Sequence, residues 1–152
     1  MYSKQEESFL RKQFWTSFGQ YLAPIPSAGG NKINRVNYKT GIRSINFKMD
    51  ATKDQAYIGI EISHNNMATQ ALYFNHFKTL RQDLENAVAE KWVWEEVVEV
   101  NGKNISRISK TLHHINIYRQ TDWPQIISFL KTRIISLDHF WNDHKDIFEM
   151  IG

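Results

Sequence analysis

Residues 44–63 read SINFKMDATKDQAYIGIEIS, and this stretch decides the fold. Every second residue from 45 to 49, and again from 58 to 62, is large and apolar, with polar residues or glycine between them. A period of two is typical of a strand with one buried face. A polar turn at residues 51–54, Ala-Thr-Lys-Asp, separates the two runs. We therefore expect an antiparallel hairpin whose apolar face packs against helices.

The sequence before this hairpin predicts a helix and one more strand. Apolar residues recur at steps of three and four over residues 3–22, as on one stripe of a helix, and Pro24 ends the pattern. Residues 33–38 are typical of a short strand. A tight turn follows, in which Gly41 adopts the left-handed conformation. With the hairpin, this strand completes a three-stranded antiparallel meander.

The sequence after the hairpin predicts a helix and a second hairpin. Asn65 or Asn66 caps a helix that runs to about residue 90. The pair Asn101-Gly102 favours a two-residue turn, because both central residues of such a turn adopt positive φ. We expect strands on either side of it, at 92–100 and 105–110.

The C-terminal third predicts a long helix. Residues 114–118 resemble a last short strand. Asp122, followed by Pro124 and Gln125, is typical of a helix start with a capping box. An apolar stripe then continues to Phe148. The fold class is therefore α+β, in the order helix, three-stranded antiparallel meander, helix, β-hairpin and long C-terminal helix.

Composition indicates one globular domain, residues 1–152. The chain has 152 residues, 41% of them hydrophobic, and no cysteine, which excludes disulfides and thiolate sites. No apolar run approaches the roughly 20 residues of a membrane span. The mixed-charge start is unlike a secretory signal. We expect a cytoplasmic protein that does not bind membranes.

Several segments resemble one known family. They are FWTSFGQYLAP, KINRVNYKTGIRSINFKMDA, IGIEISH, ISRISK and DWPQIISFLKTRIISLDHFW. Together they are similar to an uncharacterised bacterial group, the domain of unknown function family 4268, over about residues 9–148. Similar domains lie C-terminal to nuclease-like domains of the PD-(D/E)XK type. The resemblance implies a role in nucleic-acid processing or defence, with a nuclease or another protein as partner.

A catalytic alternative centres on Glu61. The predicted element order is also that of the restriction-endonuclease-like core, which raises the hypothesis of a degenerate relative. That chemistry needs carboxylates on adjacent strands to hold Mg²⁺ beside a lysine. Glu61 is the only charge in IGIEIS, but Ser63 stands at the lysine position and Ser44 is expected opposite. Glu61 is thus a weak catalytic candidate, and pairing with Arg35 or Arg43 is the simpler expectation.

Positive charge is concentrated on the predicted hairpins. Residues 31–53 hold six Lys or Arg against one Asp, and residues 103–119 hold four against no acid. Residues 78–99 and 138–149 each sum to −3 (three bases against six acids, and one against four). With tyrosines interleaved, such a basic sheet surface is typical of phosphate-backbone binding. The candidate nucleic-acid-binding residues are Lys32, Arg35, Lys39, Arg43, Lys48, Lys103, Arg107 and Lys110.

Other motifs are missing from the sequence. His139 and His144 are five apart, which is not the i, i+4 spacing of a helical zinc pair, and no glycine-rich phosphate loop occurs. We expect no metal and no cofactor. The interpretation is a noncatalytic binding or interaction module associated with nucleic-acid processing or defence. Its alternatives are a protein-interaction or dimerisation module without nucleic-acid contact, and a metal-dependent nuclease.

Overall fold

The computed structural model describes residues 2–30 and 33–151. Its elements alternate between helices and antiparallel hairpins, which confirms the α+β class. In chain order they are α1 (Lys4–Leu22), β1 (Ile45–Ala51), β2 (Gln55–Ile62), α2 (Met67–Thr79), α3 (Arg81–Val88), β3 (Val93–Val100), β4 (Lys103–His113), a 3₁₀ turn (Gln120–Asp122) and α4 (Trp123–Glu149).

All four strands join one sheet in the order β1-β2-β4-β3, and every pairing is antiparallel. The two predicted hairpins therefore share one sheet through the β2–β4 pairing. The Asn101-Gly102 turn is confirmed, with φ of 52° and 80°. A bulge between Glu95 and Val98 bends the β3–β4 hairpin.

The apolar face of the sheet packs on the helices as the alternation predicts. Ile45, Phe47, Ile58, Ile60 and Ile62 are all buried in the main core, and Met49 is partly buried against it. Phe74, Leu130 and Ile134, the helix residues expected to face them, belong to the same cluster. Glycine and polar residues between them lie on the opposite face, outside that cluster, and we call it the uncovered sheet face.

Side chains cap the starts of α1 and α2, and the cap of α2 is one that the sequence predicts. Ser3 and Glu6 form a capping box at the start of α1, with each side chain bonded to the other residue's backbone N–H. The side chain of Asn66 accepts from the backbone N–H groups of Ala68 and Thr69 at the start of α2. None of the helices in the described part of the chain is long and apolar enough to cross a membrane.

The strand predicted at residues 33–38 is wrong. This segment is an irregular loop that runs over α4, because the Arg35 side chain is buried in an ion pair with Asp138. Only two strands therefore precede α2, so the element order of the restriction-endonuclease-like core is not found. Gly41 does take a positive φ of 86°, in the turn before β1.

The strand predicted at residues 114–118 is also wrong. His114 has a φ of 65°, which ends β4, and its backbone N–H donates to Asp54 O. The N–H of Ile117 donates to Thr52 O. These donors serve the β1–β2 turn instead of a neighbouring strand, and the buried side chains of Ile115 and Ile117 anchor the loop.

Two helix predictions also need correction. The helix predicted from residue 66 to 90 breaks at Leu80, where φ is −100° and ψ is 13°, giving α2 and α3. At the start of α4 the capping box does not form. The Asp122 carboxylate instead accepts from the backbone N–H of Asn116, and so holds the preceding loop.

Candidate nucleic-acid interface

The uncovered sheet face carries a polar network centred on Tyr57. Its ring lies along β2 over Gly59, where a Cβ would collide with the phenol oxygen. The Tyr57 hydroxyl donates to Glu61 Oε2 at 2.8 Å. Gly59 thus lets one side chain on a strand reach another four residues further on the same strand.

Arg107 extends this network to the neighbouring strands. It is the register partner of Glu61, and its guanidinium lies 5.7 Å from the centre of the Tyr57 ring. Its Nε donates to Glu95 Oε1 on β3 at 2.9 Å. The expected pairing of Glu61 with Arg35 or Arg43 is wrong, because Glu61 faces Arg107 on β4 and Asn46 on β1.

The tip of the β3–β4 hairpin closes one side of this face. Val100 and Asn101 line the same cavity, of about 220 Å³, as Lys48 and Asp50 of β1. The remaining walls are Thr52, Gln55, Tyr57, Glu61 and Arg107. We call this the sheet cavity.

Two larger cavities adjoin the sheet cavity. One, of about 620 Å³, lies between β1 and the loop at residues 36–42, and shares Lys48 and Glu61 with it. The next, of about 750 Å³, lies over α4 and shares Tyr38 and Lys39 with the second. It ends at Lys145. We call the three together the lysine groove, after Lys39, Lys48 and Lys145.

The acids along the lysine groove already have partners. Asp50 Oδ1 accepts from Arg11 at 3.1 Å, and Glu61 accepts from Tyr57. Asp138 is bound by Arg35 and by Tyr38. Lysine behaves differently: across residues 2–30 and 33–151, no lysine makes a salt bridge. The three groove lysines therefore make no salt bridge, whereas Asp50 and Asp138 are paired with arginines and Glu61 is hydrogen-bonded to the neutral Tyr57 hydroxyl.

A buried ion pair fixes the loop that forms the middle of the groove. Arg35 Nη2 lies 3.2 Å from Asp138 Oδ2, and the two side chains are 0% and 4% exposed. Arg35 also donates to the carbonyls of Ile25 and Pro26, while Asp138 accepts from Tyr38 Oη at 2.6 Å and from Ala28 N at 3.0 Å. The pair thus positions the loop instead of contacting solvent.

Only some of the candidate nucleic-acid-binding residues lie close together in the structure. Lys39, Lys48 and Arg107 line the groove, and Glu61 lies between them. Lys103 and Arg43 are exposed, but neither is a lining residue of the groove. The others fall away from it: Arg35 is buried, Lys110 is opposite Ile58 on the helix-covered face, and Lys32 lies outside the described residues.

The sequence interpretation missed the contribution of α4. Asp138 and Lys145 complete the groove, but the whole helix reads as an apolar stripe. The available signal was Asp138 itself, an acid between Leu137 and Phe140 at the centre of that stripe. A charge at such a position predicts a buried partner.

The tyrosines offer limited stacking surface. Tyr38 stacks on Phe47 with ring centres 5.0 Å apart, and Tyr57 packs between Gly59 and Arg107. Tyr118 lies elsewhere, near Tyr2. The groove therefore offers charge and hydrogen bonds rather than a row of free rings.

A two-carboxylate metal site does not form around Glu61. In the β1–β2 register Asp50 lies opposite Tyr57, which is four residues along β2 from Glu61. At strand spacing these four residues separate the backbones of Tyr57 and Glu61 by roughly 13 Å. In residues 2–30 and 33–151 no three His, Asp or Glu side chains are grouped so that they could hold a metal ion.

Tyr38 and Tyr57 should ionise unusually late. Burial, followed by the nearby carboxylates Asp138 and Glu61, raises the pKa of both phenols above the ordinary value of 10.0. In the unfolded chain tyrosines ionise near pH 10, so the stability from these phenols is complete below pH 10 and falls as the pH rises above it. The tyrosinate absorbance at 295 nm can be titrated for the wild type and for Tyr38→Phe and Tyr57→Phe. The difference between the wild type and each variant is the ionisation of the missing tyrosine, and we expect it to develop only above pH 10. A difference titration showing ionisation below pH 10 would contradict the assigned hydrogen bonds.

Comparison with known proteins returns one finding. A family model described as "Domain of unknown function (DUF4268)" matches residues 10–145. Neither the curated proteins nor the solved structures contain a match.

Proposed function

Since the chain belongs to the family Domain of unknown function (DUF4268), we propose that it is a noncatalytic nucleic-acid-binding module that acts in nucleic-acid processing or defence. The observation that carries the proposal is the lysine groove. Its three lysines make no salt bridge, two of its acids, Asp50 and Asp138, are neutralised by arginines, and the third, Glu61, is hydrogen-bonded to Tyr57. Phosphate contacts of this kind supply most of the affinity of nonspecific binding. A nuclease-like neighbour domain is part of the same proposal.

The shape of the groove favours a single strand. Its three cavities share lining residues and lie over α4, beside the loop at residues 36–42 and on the uncovered sheet face. A duplex is stiff over about 150 base pairs, so it does not follow a turn made within a few residues. A single strand is flexible enough to do so, and positively charged grooves that follow the backbone are typical of single-strand binding.

Replacing Lys39, Lys48 and Lys145 together by glutamine should weaken binding and reduce its salt dependence. Each lost phosphate contact lowers the log–log salt slope by about 0.7 for a single strand, so the triple variant should lose about 2. The measurement is fluorescence anisotropy of a labelled single strand at about 50 and 200 mM salt. We expect at least a tenfold loss of affinity at the lower salt.

A matched control replaces Lys4, Lys12 and Lys91, which are exposed and lie outside the groove. It removes the same charge and should change the slope little. Equal losses in both variants would show that binding follows net charge alone, and the groove would carry no function.

The alternative of a protein-interaction module rests on a different observation. Phe9 is 65% exposed, and with Tyr2 and Tyr118 it lines a hollow beside α1. The same titration separates the two proposals. A wild-type protein that binds no oligonucleotide at low salt would favour this apolar surface over the groove.

A further inference from the structure

The sheet cavity holds hydrogen-bonding groups that the protein does not use. The side-chain amides of Gln55 and Asn101 and the ammonium of Lys48 make no hydrogen bond to any residue in the described ranges. Glu61 uses only Oε2, for Tyr57, so its Oε1 is unused. The cavity is thus lined by a carboxylate acceptor beside cationic and amide donors.

This set of groups matches the edge of one nucleobase. Guanine carries two adjacent donors, N1–H and N2–H, next to the acceptor O6, with N7 beyond it. A carboxylate accepts from the two donors, and lysine or arginine donates to O6 and N7. The other bases lack a pair of adjacent donors beside an acceptor, so they satisfy the carboxylate less fully.

The position of the cavity suits a base that belongs to a nucleic-acid strand bound in the lysine groove. The sheet cavity is the end of the lysine groove, and Lys48 and Glu61 line both it and the next cavity. Sequence-specific recognition of single strands uses bases turned out of the stack and bonded along their Watson–Crick edges. Resting on the proposed function, we infer that the sheet cavity binds one unpaired guanine of a single strand, with Glu61 as the specificity-determining residue.

The decisive experiment compares oligothymidines that differ in one central base. Guanine in place of thymine should tighten binding about tenfold, within the range that one bidentate pair gives. Hypoxanthine, which lacks the N2 amino group, should give an intermediate affinity. Anisotropy at low salt measures all three strands with the same protein.

Glu61→Gln should abolish the preference without abolishing binding. The amide loses one acceptor, so guanine and thymine strands should differ by less than twofold. Removal of a negative charge should leave the affinity for the thymine strand equal or higher. The control Glu99→Gln removes the same charge from an exposed position on β3 and should keep the tenfold preference.

Three further outcomes would overturn the inference. Equal binding of guanine and thymine strands by the wild-type protein would remove the base site but leave the lysine groove intact, whereas no binding of any strand would remove the proposed function itself. Guanosine monophosphate tests the other source of the same base. If it competes at the same concentration as the guanine strand, the cavity binds a free nucleotide and not a strand.

Discussion

Asp138→Ala should lower the free energy of unfolding by about 3–5 kcal/mol, because it leaves the guanidinium of Arg35 buried without a counter-charge. Arg35 is 1% exposed, so water cannot replace the lost carboxylate without opening the loop. The variant also removes the acceptor for Tyr38 and for the backbone of Ala28. For a chain of this length, we expect a melting temperature lower by about 10 °C.

Asp143→Ala is the matched control, since Asp143 is an exposed acid on the same helix. Calorimetry of both variants should show a lower melting temperature only for Asp138→Ala. The double variant Arg35→Met/Asp138→Leu should regain part of the loss, because removing both charges also removes their desolvation cost. A single Asp138 variant as stable as wild type would mean that Arg35 reaches solvent.

Trp141→Ala should destabilise the fold by a similar amount, about 3–5 kcal/mol. The indole is 2% exposed and packs against Phe47, Phe77 and Phe148, with ring centres 5.1–6.3 Å away. Its Nε1–H donates to the carbonyl of Thr40 at 2.8 Å. One side chain thus joins α4 to the sheet and to the loop before β1.

Trp141→Phe separates packing from hydrogen bonding. It keeps most of the ring contacts but leaves the Thr40 carbonyl without its donor, which costs about 1–3 kcal/mol. Urea unfolding followed by circular dichroism measures both variants without relying on tryptophan fluorescence. If the phenylalanine variant loses as much as the alanine variant, the hydrogen bond and not the packing holds the loop.

The strands at 45–51 and 55–62 could be predicted because their signal is local. Alternation within a few residues specifies the buried face, and the neighbouring turn brings the two strands together. The register was less certain from sequence. A turn centred between Thr52 and Lys53 places Ser44 opposite Glu61, whereas the observed partner is Asn46, so moving the turn centre by one residue moves the pairing by two.

The loop before β1 could not be predicted for the opposite reason. Residues 33–38 have the composition of a strand, but Arg35 pairs with an acid 103 positions away. No local pattern contains that partner. The same distance hid the groove, because its lysines come from the loop, from β1 and from α4. Candidate residues chosen by charge density therefore included two of the groove lysines, Lys39 and Lys48, but also the buried Arg35.

Arginine and lysine have different roles in this protein, because the ion pairs that hold the fold use arginine and not lysine. Every salt bridge in the described part of the chain is made by arginine or histidine, and the eleven lysines found there contribute to none. Acetylation neutralises lysine but leaves arginine charged. Acetylation of its lysines would therefore turn a basic protein into an acidic one without breaking the ion pairs of the fold. The net charge of the surface can thus change while the folded structure stays the same.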